Sequence, residues 1–236
     1  MNQLEVKRIV AELLPFIRFH RLKSGDRLPS ERDLCKRFNA NRNTVREALT
    51  ALEIVRVVER RPNSGVYLRS LSRDTSVDAM AMFQDAGIPL LLEEVIDFVE
   101  TRRILEIESL KLAIDRRSEE DLRTIMEILE DGKVSVIDGE AFAKHDAAFH
   151  LALVECAHNQ VYLRLVNSFY LTSRQRRIVY FKSATQCQQS LGQHIQLFEA
   201  LRDRDCERAL IVLDAHLQSV EKFWSRQIND ITGVST

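Results

Sequence analysis

The chain has 236 residues, 45% hydrophobic and 29% charged, which is enough to bury a core and rules out a disordered polar chain. No apolar run approaches the roughly 18 residues of a membrane span, the N-terminus MNQLEVKRIV lacks a signal-peptide core, and four separate cysteines form no C-x-x-C pair, so a reduced cytoplasmic setting is expected. Seven glycines and four prolines are few for a fold built on tight turns, which leaves a mainly α protein. The net charge of −1 hides a division: residues 1–70 carry 15 Lys/Arg against 8 Asp/Glu, and the remainder carries 19 against 27. A basic segment joined to an acidic one twice its size points to two modules, the basic one suited to a polyanion. The polar stretch SLSRDTS at 70–76 separates them. The expected division is a domain over 1–71, a linker over 72–76, a helical domain over 77–230 and a tail over 231–236.

In the first segment, Leu4, Ile9, Leu13, Leu14 and Ile17 recur at helical spacing, predicting a helix over 3–20. Ser24-Gly25-Asp26 breaks it, and Ser30 followed by Asp33 is a helix start for a short second helix over 30–38. Asn39-Ala40-Asn41 makes a turn into a third helix over 44–52, with Val45, Ala48, Leu49 and Leu52 facing inward. Two short helices joined by a tight turn form a helix-turn-helix. The inward positions leave Arg42, Asn43 and Arg46, with Thr44 between them, near the outer N-terminal face, where a recognition helix reads base edges. Two β-rich runs around Pro62-Asn63-Ser64-Gly65 then predict a hairpin with a basic tip, and the whole order is that of a winged helix.

LPSERDL, NRNTVREAL and RRPNSGVYL, spread over 4–69, resemble the DNA-binding domain of GntR-family bacterial transcription regulators. The resemblance implies double-stranded DNA as partner, with Arg32 at the family's phosphate- and base-contacting arginine, Asn41, Arg42 and Arg46 at recognition-helix positions, and Gly65 as the wing glycine. Many members carry a glycine where Asn63 stands; asparagine tolerates the left-handed backbone, so the turn is expected to survive.

From 77 to 230 the pattern is helical almost throughout, with helices expected at 77–86, 90–116, 119–130, 138–157, 160–182, 187–203 and 206–229, in an all-α antiparallel bundle. Neither a glycine-rich phosphate loop nor G-x-S-x-G is present. Asp146 and His150, four apart, share one helix face with the apolar Phe149 and Leu153. His194 lies between Leu191 and Leu197, and His216 between Leu213 and Val220. One buried imidazole is ordinarily hydrogen-bonded. A carboxylate and three imidazoles on core-facing stripes are costly to bury unless something pairs with them, and a divalent transition metal such as Zn, Ni, Cu or Fe would do so. His20 and His145 read as surface or junction residues, and His158 as a helix-end cap.

ETRRILE, DAAFH, NQVYLRL and HIQLFEALRDRD resemble the FCD effector domain of the FadR branch of the same family. Members with this Asp/His/His/His set are metal-binding sensors of small carboxylates, which implies Asp146, His150, His194 and His216 as metal ligands, with zinc expected first and nickel, iron or manganese next. Arg102 stands where the family has an arginine beside the ligand pocket; its alternative is a plain i,i+4 ion pair with Glu106. Asn159 reads as a helix N-cap. The expected protein is therefore no enzyme but a homodimeric repressor on a pseudo-palindromic operator, whose affinity a small carboxylate effector alters. The rivals are a constitutive dimeric DNA binder without effector and a metalloenzyme fused to a DNA-binding domain; against the second, the motif region offers no clear general base beyond Glu106 or Glu155.

Overall fold

The computed structural model describes residues 3–71, 73–86, 88 and 92–232, and it divides into two compact units, Met1–Leu90 and Leu91–Thr236. Ser72 of the expected linker, Gly87 and Pro89 of an expected break, and tail residues 233–236 lie outside the described residues.

In the first unit, α1 (Gln3–Phe19) buries Ile9, Leu13 and Ile17, one turn apart on a single stripe. α2 (Glu31–Arg37) starts where the Ser30 side chain accepts from the Asp33 backbone N–H. α3 (Arg42–Ile54) starts in the same way, with Asn41 Oδ1 accepting from the Thr44 N–H at 2.9 Å. Strands β1 (Val58–Arg61) and β2 (Gly65–Leu68) pair antiparallel with Arg61 opposite Gly65. Asn63 takes a positive φ of 56° in the turn between them, the left-handed geometry asparagine tolerates. The backbone N–H of Leu28 bonds the Val66 carbonyl at 2.8 Å, tying the segment after α1 to the wing.

One boundary differs from expectation. The next helix, α4 (Val77–Asp85), belongs to this unit: Ala79 and Ile88 are buried in the same core cluster as Leu13, Val45 and Leu52. The 70–76 stretch is not a free linker, because the Ser76 N–H bonds the Val55 carbonyl at 3.2 Å and the Arg69 N–H bonds the Val57 carbonyl at 2.9 Å. A polar composition was read there as freedom, but backbone hydrogen bonds pin the chain. The division falls after Ile88, and the helix expected at 77–86 leaves the helical domain.

The second unit is wholly helical among its described residues: α5 (Leu92–Arg116), α6 (Glu119–Ser135), α7 (Gly139–Glu155), α8 (Gln160–Thr172), α9 (Arg174–Tyr180), α10 (Ala184–Asp203) and α11 (Cys206–Thr232). Its main core joins Leu110, Ile125, Phe149, Leu153, Leu197 and Leu213 from five of these helices. Helix ends are satisfied by side chains: Ser118 and Asp121 form a reciprocal capping box for α6, and Asn159 Oδ1 accepts from the N–H groups of Val161 and Tyr162 at the start of α8. Arg204, with φ 56°, ends α10 in the left-handed conformation and sends its guanidinium to the Ile114, Asp115 and Arg117 carbonyls, so the end of one helix caps the end of another. The single helix expected over 160–182 is interrupted at Ser173. The Tyr170 carbonyl at the break accepts from the Ser173 N–H and hydroxyl and also from Arg177 Nη1 at 3.0 Å.

Candidate functional site

The basic unit presents the recognition helix as expected. Arg42, Asn43 and Arg46 are exposed on α3, opposite the buried Val45, Ala48, Leu49 and Leu52, and Arg32 is exposed in the first turn of α2. Glu31, the residue before Arg32, accepts from Arg42 Nε and Arg46 Nε, both at 3.1 Å, and so holds the two guanidiniums side by side on the surface. Partial burial raises the Glu31 carboxyl, but the two arginines outweigh it and hold the group below its usual range. Asn41 is exposed but uses its side-chain oxygen as the α3 cap.

Thr44 differs from the expectation of a DNA-facing residue: it is 7% exposed and its hydroxyl donates to Asn41 Oδ1 at 3.0 Å. Its place one residue before the inward Val45 turns it under the surface. Gly65, at φ +134°, is required by the wing itself, since a Cβ there would stand 2.7 Å from Arg27 Nε. The wing arginines are engaged within the unit: Arg60 pairs with Glu53 at 2.5 Å and donates to Thr50 Oγ1 at 3.0 Å, while Arg61 pairs with Glu59 and lies over the Tyr67 ring.

In the helical unit, Asp146 and His150 of α7, His194 of α10 and His216 of α11 converge. One ligand atom from each lies within 4.8 Å of all the others, and all four residues are buried. His150 Nε2 is 3.6 Å from Asp146 Oδ1 and 3.2 Å from His216 Nε2, and His194 Nε2 is 3.5 Å from the same Asp146 oxygen. The outer nitrogens set the tautomers. Gln193 Oε1 takes the His216 Nδ1 proton at 3.0 Å, which turns a bare lone pair on Nε2 inward. His150 Nδ1 lies 2.9 Å from Glu106 Oε2, within ion-pair reach though out of line for a hydrogen bond. His150 Nε2 in turn accepts from Arg102 Nη2 at 3.1 Å.

The cluster is unsatisfied as it stands. Asp146 Oδ2 and both ring nitrogens of His194 are buried without a hydrogen-bond partner, while His150 Nε2 and His216 Nε2 stand 3.2 Å apart, close enough to share one proton. Burial pushes His194 down to about 4, against the pull of Asp146, and holds His216 well below the imidazole range. Burial opposes the charge on Asp146, yet His150 and His194 hold its carboxyl well below the ordinary value. Two imidazoles kept neutral, a third that Glu106 and Asp146 raise, and an ionised carboxylate converge on one point, a donor set that fits a divalent cation once His150 gives up its proton.

Around this point stand Arg102, expected beside the ligand pocket or in an ion pair with Glu106, and residues that the sequence leaves unassigned. Arg102 is largely buried: its Nε pairs with Glu106 Oε1 at 2.5 Å, and the Tyr170 hydroxyl donates to the same oxygen. Burial works against the Glu106 charge, but Arg102 and His150 outweigh it and hold the carboxyl far below its usual value. A cavity of about 40 Å³ adjoins the cluster, lined by Asp146, Arg102, Arg176 and Arg177 with Phe169 and Trp224 among its apolar walls. His145, expected at the surface, is 7% exposed, lies against Gly132 and has its ring centre 5.7 Å from that of His194. His158 sits just past α7 with φ 48° and meets Asp121 at 3.0 Å. Glu106 and Arg102 were legible as an i,i+4 pair; no spacing signal marks Gln193, Tyr170 or Arg176.

Comparison with known proteins agrees with both units. Residues 5–68 match the model for bacterial regulatory proteins of the gntR family, and residues 97–219 match the FCD domain. The HTH-type transcriptional regulator LutR of Bacillus subtilis is 33% identical over 205 residues, covering 85% of this chain and 92% of that protein. The HTH-type transcriptional repressor NanR of Salmonella newport is 28% identical over 221 residues, covering 90% and 82%. Among solved structures, Lar of Listeria monocytogenes aligns over 93% of this chain and 96% of its own with a TM-score of 0.68 at 19% identity, a likeness of fold. The winged helix implies DNA as a partner and the FCD domain a small-molecule effector. No helix among the described residues is long and apolar enough to cross a membrane. The chain belongs to the GntR family and is a DNA-binding transcription regulator of the FCD type, not an enzyme.

Proposed function

We propose that this regulator senses a small carboxylate at a divalent metal held by Asp146, His150, His194 and His216, and that the acid lowers its affinity for an operator. The observation that carries the reading is the convergence of four buried ligand atoms within 4.8 Å, with Asp146 and His194 each keeping a buried polar atom that has no hydrogen-bond partner. Zinc suits three imidazoles and a carboxylate, with nickel, iron or manganese as alternatives. A metal there supplies positive charge and open positions to which a carboxylate oxygen can bind. The chain's own residues do the rest: Gln193 and Glu106 orient the imidazoles, Arg102 offers a guanidinium edge beside them, and burial excludes competing water. Arg42 and Arg46 on α3, with Asn43 and Arg32, supply the DNA contacts, and a homodimer sets two such helices on a pseudo-palindromic site. Repression is the sense of regulation expected, in line with the NanR relatives.

The deciding experiment is metal analysis by mass spectrometry on tag-free protein that has never met a chelator, beside the His150→Ala, His194→Ala double variant. About one transition metal per chain, absent from the variant, supports the sensor. Metal-free wild-type protein that fails to take up zinc would overturn it and leave a DNA binder without this site.

A further inference from the structure

The cavity beside the cluster holds three arginines of unequal standing. Arg102 gives Nε to Glu106 and Nη2 to His150 Nε2, and Arg177 spends Nη1 on the Tyr170 carbonyl and Nε on that of Ala143. Arg176 is different: its Nη1 is sealed from solvent without a hydrogen-bond partner, and its guanidinium lies 4.4 Å above the Phe98 ring. A buried cationic N–H left unmade is expensive, and its usual explanation is a missing anion. Burial above all, with Arg177 and Arg102 adding to it, lowers Arg176 to about 10 against the pull of Glu94. The carboxylates of Asp146, Glu106 and, beside Arg176, Glu94 face three guanidiniums, and a divalent metal would leave positive charge in excess. Beside these arginines the cavity has apolar walls, among them Phe169, Val220 and Trp224. At about 40 Å³ the space admits roughly three water-sized groups, so the bridging part of a ligand is short.

We infer that the effector is a short dicarboxylate, one carboxylate seated at the metal and Arg102, the other on the free edge of Arg176, with one to three carbons between. This rests on the metal-sensor reading and adds to it the ligand class and a second anion anchor. An anchor of this kind discriminates strongly, because a ligand lacking the second charge leaves Arg176 as unpaired as it is now.

The test is isothermal titration of zinc-loaded full-length protein with malonate, succinate and glutarate, each beside its length-matched monoacid, propionate, butyrate or valerate. At least one diacid is expected to bind about tenfold or more tighter than its partner, a loss of charge-assisted hydrogen bonding that size converts to. In Arg176→Gln that preference is expected to collapse to within about twofold, with metal content and monoacid affinity retained. Equal binding of diacids and monoacids by the wild type overturns the inference. So does a diacid preference that survives the substitution, since it would then come from chelation by both carboxylates. If Arg176→Gln does not fold, Arg176→Lys keeps the charge without the planar fork and is expected to cut the preference several-fold; an unchanged preference there is equally fatal. Failure of the underlying reading looks different: no acid of either kind binds, or binding ignores the removal of zinc.

Discussion

Gln193 illustrates how much of a buried site is decided by residues that never reach its centre. By accepting the His216 Nδ1 proton at 3.0 Å it fixes which nitrogen faces inward. Partners of this kind are worth about 10–100-fold in metal affinity, so Gln193→Ala is expected to weaken zinc binding by that factor in a chelator competition, and unchanged affinity would refute the role assigned to Gln193. Protonation works on the same atoms. His194 is lowered to about 4 and His216 is also depressed, whereas both sit near 6.5 in an unfolded chain. Below 6.5 the unfolded state therefore binds more protons, and stability falls as pH drops from about 6.5 towards 4. His150 runs the other way: burial lowers it, but Glu106 and Asp146 raise it overall, so its contribution is present at low pH and fades as pH rises. Three depressed imidazoles, the buried His145 among them, against one raised leave acid destabilisation as the net result. Thermal melts of metal-free protein are expected to show a midpoint that declines across this window and a flatter decline in His194→Gln. At the DNA surface, Arg46 is exposed and bonded to Glu31, so Arg46→Ala is expected to cost about 1–3 kcal/mol in specific operator binding without altering the melting midpoint. That Asp146, His150, His194 and His216 point into the bundle was legible because apolar stripes at helical spacing fix which way a side chain points. Gln193 and Arg176 were not, since their meaning comes from a neighbour on another helix, and Thr44 was misread because one residue of helix rotation separates exposed from buried.

Glycine 132 shows the same limit for helices. The helix expected over 119–130 stops short of Gly132, yet α6 runs to Ser135 straight through it. The reason is space: a Cβ at Gly132 would collide with the His145 ring, so the glycine is kept for close approach of α6 and α7 and not for a turn. Gly132→Ala gains about 1 kcal/mol of helix propensity and loses about 1–3 kcal/mol to overpacking, so net destabilisation is expected in urea denaturation. In a His145→Ala background the clash is gone, and the same substitution is expected to become neutral or stabilising, a coupling that a double-mutant cycle measures directly. Most helices of the second unit were legible from period and caps. The interruption at Ser173 was not, because Arg177 adds a bond to the carbonyl there from a turn away, a contact with no trace in local propensity. α4 was assigned to the wrong unit for a related reason: its amphipathic pattern says that one face is buried but not against which core.

For the molecule as a whole, the division of charge read from the sequence matches a division of labour. The basic unit carries the recognition helix, and the acidic unit carries the buried cluster. Binding of DNA by the first is electrostatic in large part, so operator affinity is expected to fall steeply with salt whatever the state of the second. Regulation requires more, namely a free energy of coupling between the two sites. If a carboxylate bound at the cluster weakens operator binding, the coupling of about 1–3 kcal/mol typical of such systems corresponds to a change of about 5–150-fold in operator affinity. Linkage then makes a demand that no purely structural dimerisation domain would meet: saturating operator must weaken binding of the acid by the same factor. The measurement is a pair of titrations on zinc-loaded protein, operator binding with and without saturating acid and acid binding with and without saturating operator. The two ratios are expected to agree, and both are expected to fall to unity in the His150→Ala, His194→Ala variant while its basal operator affinity is retained. Equal ratios of one in the wild type would mean that the acid binds both arrangements of the protein alike, and a ligand of equal affinity for two states shifts neither, however tightly it binds. A ratio above one in only one of the two titrations is thermodynamically barred and would point to a second acid site outside the cluster.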